Sequence, residues 1–351
     1  MSRAPSATRP GRAGGASGSY DAIVIGAGHN GLTAAAYLAK AGLRVLVLEA
    51  RDRLGGATDT THLDGVRIPA VAHTVGRLAP AVVRDLDLRA HGLHLVTPVV
   101  RAWAPQPDGR GVALFDDPAA TAQALRSWST ADAAAFLDFD RRVRALSAFL
   151  AELADETPPD IAGPGFADAR LGLRLGRAFR GLGRTDGRTI LRVLPMAVAD
   201  FVAEAFASEP VRAAVAWRGV RHAALGPWSA GSTFVLLQDA AGNDGGAAGE
   251  TVFAKGGPGA VVDALAAAVR ARGGEIRTGA RVERVASTDG RATGVVLASG
   301  EEITAAAIVG AIDPKQLLAS LVDPVAIGPT MRWRASNLRT PGVSTKVNLV
   351  L

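Results

Sequence analysis

The sequence predicts an α/β fold with a parallel sheet, interrupted by an inserted α+β region. Three observations predict it. Residues 21–57, DAIVIGAGHNGLTAAAYLAKAGLRVLVLEARDRLGGA, read as strand, glycine turn, helix and second strand ending in an acid. From Gly257 the pattern resumes with a helix and short strands that return to the same sheet. Between them, about Pro118 to Trp217 is helical in pattern.

The first segment carries the chemistry. Ala22 to Ile25 is a short apolar run of the kind buried on both faces of a parallel sheet. Gly26, Gly28 and Gly31 form G-x-G-x-x-G, with His29 and Asn30 inside it, and Ala35 lets the helix lie close to the sheet. Gly42 ends that helix, Arg44 to Leu48 is the next strand, and Glu49 stands at its carboxyl end. This is the Rossmann-type cradle for a dinucleotide. Glycines admit a pyrophosphate to the backbone, free N–H groups and the helix dipole favour its charge, and the acid accepts from ribose hydroxyls.

The residues after Glu49 decide which dinucleotide. Ala50, Arg51, Asp52, Arg53, Leu54, Gly55, Gly56 and Ala57 follow at once. An arginine at 51 or 53 can meet a phosphate, and paired glycines let the chain pass beside an extended cofactor. An NAD dehydrogenase has no general need of that extension, whereas flavoproteins holding FAD in an elongated pose often carry it, so FAD is the expected cofactor.

On these residues the chain resembles the FAD-dependent oxidoreductases that include amine oxidases and carotenoid (phytoene) desaturases. Gly256-Gly257-Pro258-Gly259, AVVDALAAAVRARGGEIRTGARVERV and GVVLASGEEITAAAIVGAIDP are similar to the second FAD-domain segment of that group. The resemblance implies that the backbone of Val282 lies near the adenine and Ala311 near the cofactor. On its own, Gly256 to Gly259 reads as an ordinary strand-to-helix turn. Amine oxidases usually carry an arginine directly after the paired glycines, where this chain has Ala57. With GGATDTTHLDGVRIPAVAHTVGRL and GPWSAGSTFVLL, that departure favours the desaturase-like branch. Family members continue beyond the strand expected at Ser344 to Leu351, so the resemblance implies that the C-terminal part is missing here.

The implied activity is dehydrogenation or isomerisation of a small apolar, polyene-like substrate. Two alternatives stay open: an amine oxidase-like flavoenzyme and a non-catalytic FAD-binding regulator. No catalytic base is identified; His222 and Asp200 read as structural polar residues. The expected divisions are a disordered tail (1–19), FAD-binding segments (20–75 and 251–316), a substrate and helical region (76–250) and an incomplete return (317–351).

Composition narrows the remaining classes. The 351 residues are 48% hydrophobic, enough for a sizeable core. There is no cysteine, which excludes disulfides, thiolate metal sites and a dithiol relay. The six histidines show no ligand spacing, so no metal is expected. The formal charge is +6, yet the arginines are scattered and no aromatic-and-basic platform for bases appears, so nucleic acid is not expected as a partner. Residues 1–19 are rich in Arg, Ser and Gly without acids, but their prolines spoil a transit helix. With no signal-type apolar segment, the expected location is cytoplasmic, or the mitochondrial matrix in a eukaryote. Oligomeric state is unreadable.

The middle of the chain carries further signals. Leu63-Asp64-Gly65 and Pro107-Asp108-Gly109 read as turns, as do Asp289-Gly290 and Ser299-Gly300. Phe136, Phe139, Val143, Leu146, Leu150 and Leu153 form one apolar helical stripe, with Ser129 and Asp132 as a capping box. Ser208-Glu209-Pro210 starts another helix. Phe234 to Gln238 and Ile303 to Ile312 suit core strands. The basic stretch Ala167 to Arg184 has two readings: a solvated face, which is preferred, or peripheral contact with anionic membrane.

Overall fold

The computed structural model describes residues 19–154, 156–241, 252–339, 342 and 345–349. The chain opens with β1 (Tyr20–Ile25), α1 (His29–Lys40) and β2 (Val45–Leu48), followed by a hairpin of β3 (Thr60–Leu63) and β4 (Val66–Pro69). Next come α2 (Pro80–Asp85), the short β5 (Leu95–Val96) and a second hairpin, β6 (Val100–Pro105) and β7 (Gly111–Phe115). Seven helices follow: α3 (Pro118–Leu125), α4 (Thr130–Ala154), α5 (Phe166–Gly181), α6 (Gly183–Val193), α7 (Val198–Ala203), α8 (Glu209–Ala216) and α9 (Ser232–Ala240). The chain returns through β8 (Phe253–Ala254), α10 (Gly259–Ala271), β9 (Glu275–Arg277), β10 (Val282–Thr288), β11 (Arg291–Leu297) and β12 (Glu302–Gly310). It continues with α11 (Pro314–Gln316) and α12 (Pro324–Ser336), the latter kinked at Gly328. Among the described residues no helix is long and apolar enough to cross a membrane.

One sheet of order β10-β11-β12-β1-β2-β9 organises the first and last parts. It is parallel from β12 through β9, with Ile23 paired to Leu46 on one side and Ile308 on the other. Because strand side chains alternate, one strand serves two cores. Val24, Val45 and Val47 pack with α1 and α10, whose buried alanines let both helices lie close to the sheet. Ile23, Ile25, Leu46 and Leu48 face the opposite side with Val282, Val285 and Val295. A third core, from residues 112–241, joins strand β7 to the helices and holds four buried phenylalanines; Phe139 lies 5.3 Å from Phe201 and 4.9 Å from Phe206 between ring centres.

All four predicted turns appear. Asp64 and Gly65, like Asp289 and Gly290, have positive φ at both central positions, as two-residue hairpins require. Three expectations need correction. Phe234 to Gln238 lies in helix α9, not a strand: Gly231 turns with φ +83° and Leu236, Leu237 and Ala240 enter the helical core. A short apolar run does not by itself distinguish the two forms. Half of the capping box exists, since Ser129 Oγ accepts from Asp132 N at 3.1 Å. The Asp132 carboxylate instead reaches the start of α8, accepting from Ala207 N (2.8 Å) and Ser208 N (2.9 Å). Two N–H groups of another segment outcompete its own helix terminus. The strand expected at Ser344 to Leu351 is not formed over 345–349, where Lys346 and Asn348 hydrogen-bond Pro69 instead; its other residues, like the 1–18 part of the expected tail, lie outside the described residues.

Candidate functional site

β1 delivers the chain to Gly26, where φ is +101°. A Cβ at Gly26 would stand 2.8 Å from Ile312 Cγ2 and 2.9 Å from the Ala311 carbonyl oxygen. One at Gly31 would stand 2.0 Å from the Gly26 carbonyl oxygen. These two glycines are therefore required by the protein's own backbone, which turns under β12 and lays α1 on the strand. Gly28 is different. The nearest atom to a Cβ there is the Gly55 carbonyl oxygen at 3.9 Å, and Gly28 caps α1 without a side-chain hydrogen bond. Of the three motif glycines it is the one whose surroundings leave a Cβ open space, at a helix terminus whose first N–H groups lack intrahelical partners.

The extension after β2 returns to that turn. Gly55, with φ +119°, donates its N–H to Ala27 O at 3.0 Å and pairs with Gly28 in a parallel bridge. Glu49 fastens both pieces. Its buried carboxylate accepts from Ala27 N through Oε2 (2.9 Å) and from Arg51 N through Oε1 (3.0 Å). Each oxygen retains a second lone pair for a further donor.

Two clefts meet here and share Gly26, Glu49 and Ile312. The first, about 340 Å³, is lined by Gly28, His29, Asn30, Arg51, Gly56, Ala57, Ala311 and Asp313 as well. The second, about 600 Å³, runs past Ala50, Ala280, Arg281 and Val282 to Gln316 and Leu321. Three expected site residues line neither cleft. Gly31 and Gly55 act through the backbone, and Arg53 sits 2.7 Å from the buried carboxylate of Asp59, which needs a countercharge. Of Arg51 and Arg53, the former is thus the one that the structure brings to the first cleft. His29 stands at its mouth, where desolvation lowers its pKa from the ordinary value.

The second glycine cluster has a packing role. Thr60 Oγ1 accepts from Gly259 N at 2.9 Å, and a Cβ at Gly257 or Gly259 would stand 2.8 Å from that oxygen. These glycines seat α10 against β3. Asp200 is exposed on α7, outside both clefts, and His222 lies beyond them with φ +58°. The stretch expected around Ala311 brings Ile312 and Asp313 to the first cleft with it, whereas sequence reasoning passed over the second cleft's Ala280, Arg281 and Gln316, which carry no motif of their own. It also passed over Lys346, whose Nζ donates to Pro69 O (2.9 Å) and Ala72 O (3.3 Å). Ala72 N in turn donates to Ala57 O at 2.8 Å, and desolvation lowers the Lys346 pKa.

The model of the flavin-containing amine oxidoreductase family matches residues 31–351. The chain belongs to that family. The family is flavin-containing, and FAD is accordingly its cofactor. Among curated relatives of this family, pyridine nucleotide-disulfide oxidoreductase domain-containing protein 2 of Rattus norvegicus is 32% identical over 347 residues, 95% of this chain. Hydroxyneurosporene desaturase of Rubrivivax gelatinosus is 29% identical over 343 residues, 91% of this chain. The chain spans 60% of the length of each. A solved oxidoreductase from Methanosarcina mazei has the same fold at 15% identity, with a TM-score of 0.56 over 91% of this chain and 65% of its own. The residues present fit the flavin dinucleotide: an open glycine at an uncapped helix terminus and a buried carboxylate with lone pairs to spare, with clefts on either side.

Proposed function

We propose that this chain carries the dinucleotide-binding part of an FAD-dependent oxidoreductase acting on a small apolar, polyene-like substrate by dehydrogenation or isomerisation. One observation carries the binding assignment: both clefts converge on Glu49, beside the single motif glycine that the protein's own packing leaves open. In this reading the α1 terminus and Gly28 hold the pyrophosphate, and Arg51 adds positive charge at the same cleft. Glu49 accepts from ribose hydroxyls with its remaining lone pairs. The backbone from Ala280 to Val282 lines the adenine end. The bound flavin supplies the acceptor for hydride from a substrate C–H bond.

The apolar substrate class is supported by Ala57 at the cleft and by the likeness to a desaturase whose name specifies hydroxyneurosporene. The family description keeps amine oxidation as the second reading. The test is cofactor extraction and titration. Purified protein should be yellow or take up FAD, and Glu49→Gln should weaken uptake by about tenfold to a hundredfold, for one or two lost acceptor contacts. A colourless chain that FAD does not reconstitute would sink the binding assignment. Peroxide release on a panel of amines, with none of the polyenes converted, would move the substrate assignment to the second reading.

A further inference from the structure

Helix α5 presents two unlike faces. Its inner side carries Leu171, Leu175, Ala178 and Phe179, all partly buried; the Phe179 ring lies 5.9 Å from that of Phe149 on α4. At 100° per residue, Phe166, Arg170, Leu173, Arg177 and Arg180 fall within one narrow sector on the opposite side. Phe166 is 87% exposed and Leu173 53%, while Ile161, in the preceding loop, is 90% exposed. Arg174, at the edge of the sector, is paired with Glu156. Arg170, Arg177 and Arg180 form no ion pair among the described residues. The acid of this helix, Asp168, is turned back to accept from Gly165 N at its own terminus. The next helix repeats the pattern: Arg184, Arg188 and the 66% exposed Leu191 share one face of α6, opposite buried Ile190 and Val193.

We propose that the outer face of α5 docks on an anionic lipid bilayer, independently of the flavin reading. Guanidinium groups pair with lipid phosphates while Phe166, Leu173 and Ile161 enter the acyl boundary, the arrangement of an interfacial helix lying in the membrane plane. Single-stranded nucleic acid is the less fitting occupant. Of the three exposed apolar side chains only Phe166 could stack on a base; the two aliphatic ones are suited to lipid.

The experiment uses the 351-residue chain with vesicles of phosphatidylcholine, alone or mixed with phosphatidylglycerol, read by co-sedimentation. Binding is expected only with phosphatidylglycerol, and it should fall as salt is raised. Arg170→Gln, Arg177→Gln and Arg180→Gln together should weaken it on the order of a hundredfold, from roughly fivefold for each charge near the surface. Phe166→Ser with Leu173→Ser should weaken vesicle binding and leave that to a single-stranded oligonucleotide unchanged. All five positions are exposed, so circular dichroism should be unaltered. The proposal is overturned if the parent chain ignores phosphatidylglycerol vesicles or if the arginine variant binds them equally. It is also overturned if an oligonucleotide displaces the vesicles while the Phe166 and Leu173 variant binds as the parent does.

Discussion

The sheet region and the helical region are held together by different means. Around the clefts, close backbone approach does most of the work: Gly26 under Ala311, Gly31 on Gly26, Gly55 beside Gly28. The helical region depends on side chains far apart in sequence. Its phenylalanines pack across three segments, and buried acids tie helices together, as Asp132 does with Ala207 and Ser208. Asp239 on α9 pairs with Arg218 and Arg221 in the turn before that helix and with Arg77 ahead of α2. A backbone-built site tolerates wide change in the surrounding side chains but almost none at its glycines. A side-chain-built core reverses that sensitivity.

The comparison breaks first at Gly31. Gly31→Val places a Cβ against a carbonyl oxygen with no flexible neighbour to yield, and should cost about 3 kcal/mol or more in urea unfolding. A stable Gly31→Val protein would show that close approach is not what holds α1. Asp132→Ala tests the other region. It leaves two part-buried N–H groups unpaired and should cost about 2–3 kcal/mol, with FAD affinity per folded molecule unchanged. Loss of FAD binding in the folded variant would show that the two regions are coupled.

Gly28→Ala sharpens the contrast between neighbouring glycines. With nothing closer than 3.9 Å, stability should move by less than about 1 kcal/mol while FAD affinity falls. Equal FAD affinity would remove Gly28 from the phosphate cradle.

The smallest effect expected is a pH response within the helical region. Desolvation raises the Asp140 pKa against the opposing pull of Arg144, and Asp116 adds to the rise. A carboxyl raised in the folded state favours folding fully below its unfolded value of about 3.9, and that contribution is lost as pH rises through the folded pKa. Asp239 has the opposite sign. Desolvation disfavours its ionised form, but Arg218, Arg221 and Arg77 together outweigh this and lower its pKa. Its stabilisation is present above the unfolded value and lost as pH falls through the folded one. Asp140→Asn should therefore slightly flatten the decline in melting temperature on the alkaline side of pH 4, whereas Asp239→Asn should lower stability most at neutral pH. An identical pH dependence for the two variants would contradict these assignments.

The local motifs were legible because each is a short-range demand. A strand, a tight turn, a helix start and an acid at a strand end are each specified within a few residues, so Gly26 to Glu49 could be placed on their elements from spacing alone. The apolar stripe from Phe136 to Leu153 was legible for the same reason; it recurs at helical spacing and is buried as far as Leu150, while Leu153, in the last turn, is exposed. What failed involved competition between segments. Phe234 to Gln238 carries too few residues to reveal its period, and the neighbouring helices decide its form. Asp132 was assigned to its own helix terminus, but the N–H groups before α8 held the stronger claim, and Arg53, read as able to meet a phosphate, sits against the buried carboxylate of Asp59.

Sequence alone established the dinucleotide cradle, the helical insertion between its two halves and the turns that punctuate both, because glycine conformation and apolar period are written locally. The three-dimensional arrangement decided which residues meet. It set Gly55 beside Gly28, laid Ala311 and Ile312 over Gly26, made Glu49 a strap as well as an acceptor, and turned one face of α5 outward. Those outcomes depend on which parts of a long chain can pack against one another without clash or unpaired polar groups, and no local pattern carries that information.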